Sequence, residues 1–198
     1  MSTRIRPAKG EDATEMLDIY APIVRDTAIS FETRPPEISE FRSRIRASLE
    51  QRLWLACESE GSIAGYAYAT QFNAREAYIW SVEVSVYVRP SHHRRGIGRA
   101  LYTSLFLCLA LQGYCTAVGR ITLPNPASVA LHESMGFQPV GTNPGIGYKN
   151  GQWHDVGIWQ REIQPLPTLP EVPRPMEAVA HTREWAAALS SGEALIDL

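Results

Sequence analysis

The chain has 198 residues, 44% of them hydrophobic and 20% charged, which is enough for one well-buried α/β core and a tail. Its formal net charge of −2 excludes a global field that would draw it to nucleic acid. Three cysteines without CxxC spacing, an N-terminus without an apolar signal core, and no apolar run near the roughly 20 residues of a bilayer span lead us to expect a cytoplasmic protein with free thiols and no membrane partner.

Residues 5–7 are expected to form a first strand and residues 11–20 a helix with acidic side chains in its first turn. Ile38, Phe41, Ile45 and Leu49 recur at helical spacing and predict a helix over 38–50. Two β-like runs, 53–58 and 63–70, are divided by Ser-Glu-Gly-Ser, a hairpin signal. Residues 80–88, WSVEVSVYV, give the clearest strand. Trp80, Val82, Val84, Val86 and Val88 share one face, and Ser81, Glu83, Ser85 and Tyr87 share the other.

After Pro90 the chain turns, and Gly96 opens a helix to about residue 112, followed by a strand near 116–122. A short helix over 126–135 follows, with Asn125 as N-cap and Pro126 at its first position, and it stops at Gly136. A closing β pair, 147–149 and 153–162, is joined at Asn150-Gly151. The stretch QPLPTLPEVPRP carries five prolines and reads as an extended linker over 164–175. Residues 176–189 read as an amphipathic helix or as disorder within a tail of 176–198, leaving 1–163 as the folded domain. The order of elements describes a mixed sheet with helices on both faces, not a tandem βαβ array.

The stretch HHRRGIGRALY, 92–102, crowds basic side chains around two glycines. A metal reading fails because His92 and His93 are adjacent and no HxxxH or CxxC supplies further ligands. A nucleic-acid reading needs a wider basic surface, and the flanks SVYV and ALYTSLFL are apolar, so a phosphate cradle is the better fit. Backbone N–H groups at the start of an anchored helix, freed of Cβ bulk at Gly96 and Gly98, instead form a concave anion site. Arg94, Arg95 and Arg99 add charged donors for phosphate oxygens.

This turn resembles the cofactor motif of the GNAT acetyltransferase superfamily, Gln/Arg-x-x-Gly-x-Gly/Ala, with His93 standing where that pattern has Gln or Arg. NPASVALHESMGF, 125–137, resembles the second superfamily signature, with His132 in place of the usual Tyr. Together with AREAYIWSVEVSVYV and GYKNGQWHDVGIWQR, these motifs make residues 5–163 similar to phosphinothricin N-acetyltransferases and their methionine-sulfoximine-acetylating relatives. The resemblance implies an α/β (α+β) GNAT-type fold: a mixed, mostly antiparallel central sheet, helices on both faces, and a splayed strand pair for the cofactor.

It also implies acetyl-CoA as co-substrate, with no metal. Contacts to it would come from Val86, Tyr87 and Val88, from Arg94, Arg95, Gly96, Ile97, Gly98 and Arg99, and from Asn125. Glu83 and His132 become the expected catalytic pair, which of them takes the first proton being open. Before the resemblance is weighed, Glu83 reads equally as a solvated ion-pair member and His132 as an ordinary core or surface residue. The substrate loop falls on Arg75, Glu76, Ala77 and Tyr78, with Tyr148, Lys149 and Trp153 as further donors; each also reads as a plain surface or core residue.

The expected acceptor is the α-amine of a small amino-acid-like molecule of the phosphinothricin, methionine sulfone or methionine sulfoximine type, attacked directly in a ternary complex. A protein N-terminus, a polyamine, or a non-catalytic CoA-binding or nucleic-acid-binding module are the alternatives. Family tendency implies a homodimer, with the Trp153 and Trp159 hairpin as candidate surface. No cysteine is paired with a histidine in a nucleophile motif.

Overall fold

A computed structural model describes residues 3–197. Met1, Ser2 and Leu198, at the ends of the expected domain and tail, lie outside the described residues. In chain order the strands are β1 (Arg4–Pro7), β2 (Trp54–Ser59), β3 (Ser62–Gln71), β4 (Ser81–Val88), β5 (Thr116–Leu123), β6 (Gln138–Lys149) and β7 (Gln152–Glu162). The helices are α1 (Ala13–Asp26), α2 (Ile38–Gln51), α3 (Ile97–Gln112), α4 (Pro126–Ser134) and α5 (Arg183–Ser190). The seven strands make one sheet, ordered β1-β2-β3-β4-β5-β7-β6. Every neighbouring pair is antiparallel except β4 and β5. The fold is thus mixed, mostly antiparallel, with helices on both faces.

Strand alternation divides the core. On one face Val82 and Val84 join Leu101, Leu105 and Leu109 of α3. On the other, Tyr66 of β3 and Trp54 of β2 join Met16 and Ile19 of α1 and Phe41 and Ile45 of α2. Trp54 and Tyr68 stack at 4.1 Å between ring centroids, an aromatic pairing that adds about 0.5–1.5 kcal/mol beyond burial. Both tight hairpins turn through two residues of positive φ, Glu60-Gly61 and Asn150-Gly151, as the right-handed strand twist demands.

Three expectations shift. Helix α1 runs through Pro22 to Asp26, because Val24 continues the buried stripe of Met16, Ile19 and Tyr20 and offsets the hydrogen bond that proline cannot donate. Strand β6 begins nine residues earlier than expected, at Gln138, and pairs with β7 through two register shifts. The C-terminal helix occupies only residues 183–190, with a single 3-10 turn at Met176–Ala178 before it. The proline-rich segment 164–175 has no regular element, yet it is pinned. Trp80 Nε1 donates to Glu171 O at 2.8 Å, and Arg174 N donates to Gln112 O at 2.7 Å.

The feature that builds the site is the parallel pair. β4 and β5 stay in register only from Ser81–Thr116 to Glu83–Val118 and then part, while β4 remains bonded to β3 as far as Val88. Residues 84–88 therefore turn one edge of backbone N–H and C=O groups toward a gap in the sheet.

Candidate active site

The gap forms a cleft of about 60 Å³, walled by residues 84–87 of β4, Arg120, Ile121 and Thr122 of β5, Asn125 and His132 at α4, and Tyr102 of α3. A larger open concavity of about 640 Å³ is lined by residues 31–37 and by Glu40 and Arg44 of α2, with no residue of β4 or β5 in its wall.

Glu83 lies at the mouth of the gap. Register pairs it with Thr70 and puts it on the face of Tyr66 and Tyr87, which belongs to α1 and α2. Its carboxylate is 3.3 Å from Arg120 Nη1, and the guanidinium of Arg120 lies 5.8 Å over the Phe72 ring. Burial raises the Glu83 pKa above the ordinary carboxylate value, and the Arg120 charge opposes that rise.

His132 lies on the opposite face. It is 5% exposed, and its Nδ1 is 2.8 Å from Ser128 O, so Nδ1 carries the proton and donates to that carbonyl. Nε2 then accepts from the Tyr102 hydroxyl at 3.1 Å. Burial holds the His132 pKa down, which keeps the ring neutral. The ring is boxed by Phe137 at 4.9 Å and by Gly119 of β5, where an added Cβ would fall 2.7 Å from Cδ2. Glu83 and His132 are thus not a contacting pair: the sheet stands between them, and only the β4–β5 gap joins their faces.

The turn after β4 has the form of an anion cradle. Arg94 (φ 61°) and Gly96 (φ 75°) are left-handed, and non-glycine residues adopt that conformation only at a cost. The N–H groups of residues 96–99 precede the first intrahelical donor, Ala100, whose N–H reaches Gly96 O at 2.9 Å. At Gly98 a Cβ would meet Leu131 Cδ2 at 3.1 Å, so the glycine lets α3 and α4 approach. Ile97 is buried and anchors the helix start, while Arg94, Arg95 and Arg99 are exposed. His93 uses Nε2 to hold Val88 O at 2.9 Å, bracing the strand end on which Val86 and Tyr87 sit. Asn125 caps α4 by accepting from Ser128 N at 3.1 Å while also lining the cleft.

The structure does not bring the remaining candidates into this cleft. Arg75, Glu76, Ala77 and Tyr78 are exposed on the loop after β3, where Tyr78 makes an edge contact with Phe72 at 5.5 Å. Tyr148 is 60% exposed and packs on Trp153 at 5.3 Å. Lys149 is buried, with Nζ donating to Val24 O and Ser30 O at 2.6 Å each, so its charge fixes the segment after α1 rather than facing a ligand.

Of the cleft residues that sequence reasoning missed, two bear on the chemistry, Arg120 and Tyr102. Arg120 could have been found as the lone cation in an apolar strand, once register set it beside Glu83. Tyr102 carried no signal apart from its place in an apolar helix. Among the described residues no group of three or more His, Cys, Asp or Glu is placed to hold a metal, and no helix is long and apolar enough to cross a membrane. Cys57, Cys108 and Cys115 are buried, and burial pushes the thiols of Cys57 and Cys108 up to about 12.

Comparison with known proteins identifies relatives of the chain as acetyltransferases. The model of the acetyltransferase (GNAT) domain matches residues 5–158. A phosphinothricin N-acetyltransferase of Streptomyces viridochromogenes is 41% identical over 175 residues, covering 88% of this chain and 93% of that protein. An L-methionine sulfoximine/L-methionine sulfone acetyltransferase of Pseudomonas paraeruginosa is 30% identical, covering 86% of this chain and 100% of its own. The crystal structure of a GNAT superfamily phosphinothricin acetyltransferase from Sinorhizobium meliloti, in complex with acetyl-CoA, superposes with a TM-score of 0.82. It is 30% identical, with 86% of this chain and 94% of that chain covered.

Proposed function

Since the chain belongs to the GNAT acetyltransferase family, we propose that it transfers the acetyl group of acetyl-CoA to the α-amine of a small, anionic amino-acid-like molecule of the phosphinothricin, methionine sulfone or methionine sulfoximine type. The observation that carries this reading is the gap between β4 and β5, with a carboxylate on one face and a buried Tyr–His pair on the other. The pyrophosphate of acetyl-CoA would lie on residues 94–99, with the arginines assisting. The pantetheine amides would pair with the free edge of Val86, Tyr87 and Val88, and Asn125 would meet its far end.

The acceptor approaches on the Glu83 face. Glu83 takes the first proton from the ammonium, directly or through water, because its burial makes the carboxylate a better base. The free amine then attacks the thioester carbonyl: a C–N bond forms and, as the tetrahedral intermediate collapses, the C–S bond breaks. The nitrogen's second proton ends on the departing sulfur, and the proton on Glu83 returns to solvent. On the other face neutral His132 accepts the Tyr102 proton, so the phenolic oxygen offers only lone pairs to the cleft and would position the attacking amine by accepting from it. A backbone N–H of the free β4 edge would meet the developing negative charge. Buried thiols of raised pKa support direct transfer over an acetyl-enzyme.

Arg120, half-exposed beside Glu83, suits an acceptor carrying a carboxylate or phosphinate and disfavours a polyamine. Arg75, Glu76, Ala77 and Tyr78 would close over such an acceptor by movement of their loop. Tyr148 would act from a second copy of the chain, as part of a homodimer formed over the exposed Ile146, Tyr148 and Trp153 of the β6–β7 hairpin. Light scattering at the dimer mass supports that assembly, and a monomer at all concentrations removes it. The function itself is tested by CoA release with phosphinothricin, methionine sulfone, methionine sulfoximine, spermidine and short peptides; turnover confined to the last two would refute the substrate class.

A further inference from the structure

The last residues of the chain lie beyond those matched by the GNAT domain, which end at 158. They do not trail away. Helix α5 is capped by Thr182, whose hydroxyl accepts from Trp185 N at 3.1 Å, and it buries Trp185 and Ala188 in the same cluster as α3. Ser104, fully buried on α3, donates to Leu189 O at 2.7 Å and accepts from Gly192 N at 3.1 Å. At Gly192 the chain crosses α3 so closely that a Cβ would collide with Ala100 O. Glu193 Oε1 then accepts from Ile5 N at 2.8 Å, tying the segment to the first strand.

From there the chain reaches the turn that follows β4. The carbonyl oxygen of Leu195 sits against Gly96, where any Cβ would collide with it. One step further, Asp197 N donates to Arg95 O at 3.1 Å. Two consecutive residues of the phosphate-binding turn are therefore held from behind by the backbone of the tail.

We propose that residues 191–197 are a positioning clamp, which holds the turn at 94–98 in the shape that binds acetyl-CoA and so sets the affinity for that co-substrate. The inference rests on the acetyl-CoA reading above. The turn contains a non-glycine residue in left-handed conformation, Arg94, and two positions on a second left-handed residue, Gly96. A strained conformation of this kind persists only where its surroundings over-determine it. The tail does so by occupying the Arg95 carbonyl and by walling off the open side of Gly96. Without it, the turn samples other shapes, and the apparent affinity falls by the fraction of time spent in the competent one.

The test compares the intact protein with a chain ending after Ser190, which keeps α5 and its buried Trp185, and with Asp197→Pro. The proline removes the donor to Arg95 O together with the Asp197 carboxylate, so Asp197→Ala, which keeps the N–H, is the control and is expected to show no rise in Kd. Ile196 before it is already extended, as a residue preceding proline must be (φ −92°, ψ 119°). Calorimetric Kd for CoA and the KM for acetyl-CoA are expected to rise about tenfold in the shortened chain and about threefold in Asp197→Pro. The kcat at saturating acetyl-CoA and the KM for the amine are expected to stay within about twofold. Where the shortened chain fails to fold, the Kd and KM of Asp197→Pro decide the matter. Unchanged or tighter CoA binding, even with a lowered melting temperature, would overturn the clamp and leave a merely structural tail. Failure of the intact chain to bind CoA would overturn the acetyl-CoA reading, and the clamp with it.

Discussion

Replacing Gly119 with alanine places a methyl group 2.7 Å from Cδ2 and 2.8 Å from Nε2 of His132. The imidazole has nowhere to retreat: Phe137 lies at 4.9 Å, Tyr102 at 5.4 Å, and Nδ1 is tied to Ser128 O. Overpacking of this kind costs roughly 1–3 kcal/mol. A displaced ring also leaves the buried Tyr102 hydroxyl without its acceptor, for roughly 1–3 kcal/mol more. A combined loss of roughly 2–6 kcal/mol corresponds, for a chain of this size, to a fall in Tm of about 4–24 °C. The hydroxyl moves with its partner, and a misplacement of about 1 Å can cost on the order of a hundredfold in rate. We therefore expect kcat to fall about 10- to 100-fold while CoA affinity stays within about threefold, because the turn at 94–99 is untouched. Thermal melting and steady-state CoA release measure both. A variant with wild-type melting and wild-type kcat would refute the wedging of His132 under β5.

Glu83→Gln should lower kcat by about 10²- to 10⁴-fold and abolish the acid limb of the pH–rate profile. In the intact enzyme that limb lies above the ordinary carboxylate range, since activity needs the ionised group and burial raises its pKa. Arg120→Met removes the charge that opposes this rise, so the limb should move to higher pH, with a higher KM for anionic acceptors; an unmoved limb would detach Arg120 from Glu83. Lys149→Met strands the Val24 and Ser30 carbonyls, so it should cost roughly 2–4 kcal/mol in urea denaturation. It should also raise the KM for the amine, because Ile29 of the same segment lines the cleft, with the KM for acetyl-CoA unchanged. Simultaneous Cys57→Ala, Cys108→Ala and Cys115→Ala should leave transfer intact, and mass spectrometry of the wild type during turnover should detect no acetylated cysteine.

Much of this fold is legible locally. The alternation of residues 80–88, the Asn125 cap and the Asn150-Gly151 turn are encoded within a few residues, and each stands where the sequence puts it. The first nine residues of strand β6 are not legible, because Pro139, Gly141, Pro144 and Gly145 break its period and only pairing with β7 makes them a strand. The site is less legible than the fold, for it depends on register. The motifs carry Glu83, His132 and the glycine turn, but one residue of alternation decides that Glu83 and His132 fall on opposite faces. The same register brings Arg120 to Glu83, 37 positions away in sequence. Lys149 reads as a free cation in sequence, and only the fold of α1 against β6 commits its charge to two carbonyls. The tail is legible only in part: its apolar residues mark a helix, but the surface they pack on is set by α3 and the turn before it.

The central claim, acetyl transfer from CoA to an anionic amino-acid-like amine through the gap between β4 and β5, is tested most directly by CoA release. The assay compares phosphinothricin and methionine sulfone with spermidine, for the wild type and for Glu83→Gln. The expected result is turnover of the anionic acceptors by the wild type, little with spermidine, and a loss of at least about a hundredfold in the variant. Equal turnover by the two proteins, or a preference for spermidine, would contradict it.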